Sequence, residues 1–272
     1  MKVAMMSYTM ARSGEWAKTH DVAALCQFTK ELGLDAIDWV GTYGHDPADV
    51  RRICDDHGLA ASCYTFGAGM QSPDPAERAA SIDKVKVGLD AATALGSDKI
   101  MVVIGGVSGV PREETRQRAL EQLHAAVALG ATYGIAVTIE HFPGAPSPFV
   151  TADDMDIAVQ TVPGLKITYD NGNLVTAGED PAEGYRRGKD HIINAHFKDW
   201  DLVDDGTPGV DGRRYRGALI GEGIVDPLPC LQAMAEGGYE GYIDFEYEGN
   251  KYDPADAMRK GLPPLLEMID SL

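Results

Sequence analysis

Short apolar runs of β type punctuate the chain at Val3 to Ser7, Ala36 to Val40, Ala60 to Thr65, Lys99 to Ile104, Ala136 to Glu140, Lys166 to Asp170, Ile192 to Phe197 and Tyr242 to Tyr247. Between most of them the apolar positions recur at helical spacing. The clearest such stretches are Asp21 to Leu32, Pro75 to Leu95, Arg112 to Tyr133, Pro227 to Glu236 and Pro254 to Ile269. The segment between the sixth and seventh runs is short and Gly-interrupted, and gives the weakest helical pattern. Asp-Pro pairs precede helical patterns at Asp46, Asp74, Asp180, Asp226 and Asp253. Asp accepts from orphan N–H groups of a first turn, and Pro at the first helical position gives up a hydrogen bond that was never available. Gly33, Gly58, Gly96, Gly134 and Gly164 stand a few residues before strands, where helices end in a left-handed residue. The repeating unit is strand, loop, helix, Gly, strand.

Eight such units with near-continuous apolar strands predict an α/β fold in which parallel strands close into a (β/α)₈ TIM barrel, with residues 1–272 as a single domain. An open doubly wound sheet is the alternative. No G-x-G-x-x-G follows the first strand, and the Gly-rich Ile104 to Gly109 reads as a flexible loop rather than a phosphate cradle. A barrel places functional side chains at the C-terminal ends of several strands.

Strand phase locates them. Side chains alternate faces, so Thr138 and Glu140 share one face of the fifth strand, and Lys166, Thr168 and Asp170 one face of the sixth. Asn194, His196 and Lys198 do so in the seventh, and Asp244, Glu246 and Glu248 in the eighth. The opposite phase is apolar and suits contact with helices. Barrel interiors are ordinarily layered with branched apolar residues, and uncompensated buried carboxylates cost several kcal/mol each. A divalent cation held by Glu140, Asp170, His196 and Glu246 resolves that conflict. Three carboxylates and one imidazole suit Mn²⁺ first, with Mg²⁺ or Co²⁺ as alternatives; a structural zinc site more often uses Cys or several His. Lys198, in phase with His196, reads either as an enolate-stabilising group or as a rim ion pair with Asp199 or Glu222. His141 falls on the apolar phase and reads as a packing residue. Tyr8, Trp16, Trp39, Tyr64 and Phe66 lie at or beyond early strand ends, where aromatic faces could stack on a sugar ring.

Composition narrows the partners. A formal net charge of −18 without any basic cluster disfavours nucleic acid. No stretch reaches the roughly 20 apolar residues of a membrane span, and MKVAMMSYTMARSGEW lacks a signal-peptide pattern, so the expectation is a soluble, cytoplasmic protein. Four scattered cysteines without a C-x-x-C pair suit buried thiols in a reducing compartment. The sequence leaves a homo-oligomer open.

TIEHF, TYDNGN, AHFKDW and DFEYEG, together with RGALIGEGIVD before the seventh helix, resemble the xylose-isomerase-like TIM-barrel superfamily of sugar phosphate isomerases and epimerases. That superfamily also contains ketose 3-epimerases, hydroxypyruvate isomerase, inosose isomerases and dehydratases, and endonuclease IV. The resemblance implies a metal site from the last four strands, carried over to Glu140, Asp170, His196 and Glu246, with Glu140 and Glu246 doubling as the acid/base pair. The chain departs from the ketose 3-epimerase pattern at Asn173, where D-x-x-H has His, and at Leu202, where an Arg follows the metal His. Asn173 can donate to a hydroxyl but cannot relay a proton.

The expectation is a divalent-metal-dependent keto-sugar isomerase or epimerase that abstracts a proton next to a carbonyl through an enediolate. Glu140 and Glu246 are its catalytic residues, and Asn173, Lys198, Tyr8, Trp16 and Tyr64 contact substrate. The alternative is a lyase or dehydratase that eliminates a β-substituent from a 3-keto-glycoside or keto-inositol. With no phosphate signature, a free sugar, keto-sugar or glycoside is favoured as substrate. Two other classes fit less well. An endonuclease IV-like phosphodiesterase would need more His at strand ends than a chain with seven supplies, and a non-catalytic sugar-binding barrel leaves the paired Glu unexplained.

Overall fold

The computed structural model describes residues 1–272. Eight parallel strands close a barrel: β1 (Lys2–Met6), β2 (Ala36–Val40), β3 (Ala60–Gly67), β4 (Lys99–Val103), β5 (Ala136–Glu140), β6 (Lys166–Asp170), β7 (Ile192–Phe197) and β10 (Tyr242–Phe245). Each pairs with its neighbours in chain order, and β1 closes the ring against β10 through Lys2 opposite Tyr242 to Met5 opposite Phe245. Helices between the strands cover the outside, and the main core fills the space between sheet and helices. No helix is long and apolar enough to cross a membrane.

The punctuation works as its chemistry requires. The side chains of Asp46, Asp74, Asp180, Asp226 and Asp253 each accept a backbone N–H of the following turn. Gly33, Gly58, Gly96, Gly134 and Gly164 all have positive φ, so each helix stops where a side chain would be strained. Two features differ from expectation. The helical stretch after Asp74 is two helices, Pro75–Ala79 and Ser81–Leu95, which meet at Ala80, φ −78° and ψ −7°, the C-cap of the first and the N-cap of the second. The second feature is an antiparallel hairpin, β8 (Asp199–Pro208) with β9 (Arg214–Ala218), which grows from the end of β7 and stays outside the barrel. Its residues are mostly exposed beyond Trp200, so no alternation of apolar positions announces it.

Candidate metal and sugar site

Glu140 and Asp170 are the last residues of β5 and β6, His196 is the penultimate residue of β7, and Glu246 follows β10 directly. Register brings them level, with Asp170 and Asp244 both opposite His196 on its two sides. A hydrogen bond from the Glu246 N–H to the Phe197 carbonyl, 2.9 Å, extends the pairing past the strand end. His196 Nδ1 lies 3.3 Å from Glu140 Oε2 and 3.8 Å from Glu246 Oε2. Donor atoms of Glu140, Asp170 and His196 all lie within 4.8 Å of one another. All four side chains are buried.

The donor set fits a divalent cation. Nδ1 of His196 is buried without a hydrogen-bond partner, and Glu246 Oε2 makes no directed hydrogen bond although an ammonium lies near it. Buried polar atoms left unpaired in this way are uncommon. Here they converge, and oxygen donors with one imidazole suit a hard or borderline divalent ion. Glu140, Asp170, His196 and Glu246 are the residues that would hold it.

Beneath them lies a second polar layer. His196 Nε2 contacts Asp38 Oδ2 at 3.1 Å, and Asp38 also accepts from Thr65 Oγ1. A singly protonated imidazole therefore keeps its proton on Nε2 and turns the Nδ1 lone pair toward the two glutamates, the arrangement that orients a ligating histidine. Burial disfavours the charged ring, but the contact with Asp38 and the nearby Glu140 carboxylate outweigh it and raise the His196 pKa well above the usual histidine range. Asp244 accepts from Ser62 and Asn194, and burial with the nearby Asp38 pushes it up to about 7. Asp38 escaped the sequence reading. Its signal was a lone acid inside the apolar run AIDWV of β2.

Lys198 differs from the rim pairings considered for it. Its ammonium is buried inside the site, 2.8 Å from Glu246 Oε2, 3.2 Å from Asp170 Oδ2 and 3.8 Å from Glu248 Oε2. Burial would lower its pKa, but Asp170 and Glu246 outweigh this and raise it well above the ordinary lysine range. Asp199 is instead occupied by four backbone N–H groups, those of Trp200, Gly221, Gly223 and Val225. Glu222 binds Lys251 and Tyr252. The glycines of GEGIVD thus have a physical reason, since a Cβ on Gly223 would lie 2.3 Å from Asp199 Oδ1.

A cavity of about 240 Å³ opens above this cluster, walled by Glu140, Lys198, Glu246 and Glu248 on one side and Met6, Val40, Met101 and Val103 on the other. Tyr8 lines it as expected, and Phe142 joins from the loop after β5. Three other residues expected to contact substrate are not brought there. Asn173 is buried behind Asp170, giving its backbone N–H to Oδ1 and its amide to Oδ2, both at 2.8 Å; it holds Asp170 in place rather than facing the cavity. The indole of Trp16 donates to the Asp21 carbonyl and its ring meets Tyr43 edge-on, which fixes it in packing beside the barrel. Tyr64 lies against Phe66 on the outward phase of β3, where Phe66 abuts Gly88 of the covering helix. Trp39 is wholly buried in the core. His141 takes the packing role expected for it: burial lowers its pKa to about 3, and its ring meets Tyr169 edge-on.

Comparison with known proteins bears on the fold and the family. Inosose dehydratase from Lacticaseibacillus casei is 28% identical over 131 residues, 46% of this chain and 43% of that protein. The chain thus matches less than half the length of that curated relative. The solved structure of IolI protein with a bound zinc atom superposes with a TM-score of 0.81 at 15% identity, covering 100% of this chain and 99% of that one. The 3-keto-D-glucoside 4-epimerase YcjR from E. coli gives 0.79 at 18% identity, covering 98% and 99%. At those identities the two structures establish the fold. The sequence profile described as xylose isomerase-like TIM barrel matches residues 26–268, and with the closed eight-stranded barrel this places the chain in the xylose isomerase-like TIM-barrel family.

Proposed function

We propose that residues 1–272 work as one domain and form a divalent-metal-dependent enzyme that moves a proton next to the carbonyl of a keto-sugar. The observation that carries this reading is the placement of Glu140 and Glu246 on either side of His196 Nδ1, both lining one cavity. A divalent ion, Mn²⁺ by preference, would polarise the substrate carbonyl and stabilise the charge that develops on its oxygen. One glutamate removes the acidic α-proton and the other returns it to the opposite face or the adjacent carbon. Lys198, held by Asp170 and Glu246, presents a permanent positive charge beside the same oxygen. The apolar wall of Met6, Val40, Met101 and Val103 packs against the substrate's C–H face and keeps water from the carbanion.

A second reading, elimination, is favoured by Glu248. It lines the same cavity beyond Glu246, and burial, partly offset by Lys198, pushes its carboxyl up to about 7. A proton held there can leave with a β-hydroxyl as water once the α-proton has been taken, giving an enone. The keto-glucoside epimerase neighbour supports the first reading and the inosose dehydratase relatives support the second. The experiment is incubation of the Mn²⁺-loaded protein with keto-sugars, 3-keto-glycosides and keto-inositols in D₂O, followed by chelation of the metal and NMR and mass analysis. Deuterium at the α-carbon with mass otherwise conserved supports isomerisation or epimerisation, and loss of water supports elimination. Absence of both across the panel sinks the proposal.

A further inference from the structure

The hairpin borders a second, solvent-open cavity, about 430 Å³, beside the catalytic one. The two share Tyr8 and Glu248 as walls, so anything seated against Glu140 and Glu246 extends naturally into the second space. The catalytic cavity alone is smaller than the roughly 300–1,000 Å³ usual for a drug-sized ligand. It suits one ring.

The lining of the second cavity indicates what it takes. Its two arginines each face a carboxyl group. Arg216 is paired with Asp205, and Arg12, whose guanidinium sits 5.9 Å over the Tyr8 ring, donates to Asn250 and faces Glu248. A site for a phosphate or carboxylate would leave cationic charge in excess. The aromatic residues of the lining are Tyr8, Trp200 and Tyr215. Tyr8, 36% exposed at the junction, presents the accessible ring face, while Trp200 and Tyr215 are buried with Val225 in a small core that fixes the hairpin. An exposed tyrosine face together with dense, partnered hydrogen-bonding groups matches a polyhydroxylated ring. The hairpin makes no barrel pairing, and this wall is what it builds.

We propose that the hairpin cavity is a subsite for the aglycone half of a two-ring substrate, a keto-glycoside whose keto-glycosyl ring occupies the catalytic cavity. This rests on the keto-sugar reading above and names its substrate class. The test uses the full Mn²⁺-loaded chain with 3-ketosucrose and 3-ketolactose as two-ring probes and 3-ketoglucose as the one-ring probe. Dissociation constants come from calorimetry, and solvent deuterium uptake is followed in parallel. A two-ring probe is expected to bind about tenfold tighter than the one-ring probe. Thr207→Trp, which fills the cavity from the hairpin, erases that advantage and leaves 3-ketoglucose binding unchanged; Arg216→Ala erodes it by about threefold. Equal binding of all probes, no binding of any, or an advantage that survives both substitutions overturns the subsite. The expected binding pattern without deuterium uptake keeps the subsite and overturns the proton-transfer reading instead.

Discussion

The two walls of the catalytic cavity are built from opposite materials. From β1, β2 and β4 come Met6, Val40, Met101 and Val103; from β5, β7 and the end of β10 come Glu140, Lys198, Glu246 and Glu248. Under the charged wall the barrel interior continues polar, with Asp170, Asn194, His196 and Asp244 fully buried. Burying such groups is costly unless every charge is answered, and here the answers are unusually specific: Asn173 for Asp170, Asp38 for His196, Ser62 and Asn194 for Asp244. On the proposed reading, one half of the ring bears the reaction and the other half gives the substrate a dry surface.

The sharpest way to break this contrast is on the charged side. Glu140→Gln and Glu246→Gln are each expected to lower kcat by about 10²–10⁴-fold, measured as α-deuterium exchange, with circular dichroism reporting an intact fold. Lys198→Met is expected to cost about 10²-fold in kcat. It should nonetheless leave Mn²⁺ affinity equal or tighter by calorimetry, because it removes a cation lying within 3.2 Å of Asp170. A loss of metal binding there would show that Lys198 is structural. Asp38→Ala, one layer below, should weaken Mn²⁺ binding by about 10–100-fold, with Asp38→Asn recovering part of the loss. On the apolar side, Met101→Ala should raise KM with little change in kcat and destabilise the fold by about 2–5 kcal/mol in urea titration. If it lowered kcat as much as the glutamate variants do, the division between the walls would fail.

Why one wall was legible in sequence and the other was not follows from the same contrast. Glu140, Asp170, His196 and Glu246 stand out because polar residues at period two in otherwise apolar strands are physically expensive, and the structure brings all four together at the strand ends. Asp38 has the same anomaly, but a single acid in one strand has no companion pattern to support it. The apolar wall carries no such signal. Met101 and Val103 look like any core residue, so aromatic side chains near strand ends were the visible candidates, and Trp16 and Tyr64 turn out to satisfy packing instead. Asn173 was read for what it could offer a substrate, whereas its amide is already committed to Asp170 and to the His141 carbonyl. The hairpin was invisible because exposed strands carry no burial pattern.

Asp199 ties both ends of that hairpin to one point. Its carboxylate grips the chain at Trp200 as it leaves and at Gly221, Gly223 and Val225 after it returns. The strap is thus knotted at one carboxylate, and the Trp200 ring beside that knot lies 6.0 Å from the Lys198 ammonium. A change in the excursion would reach the charged wall at that junction.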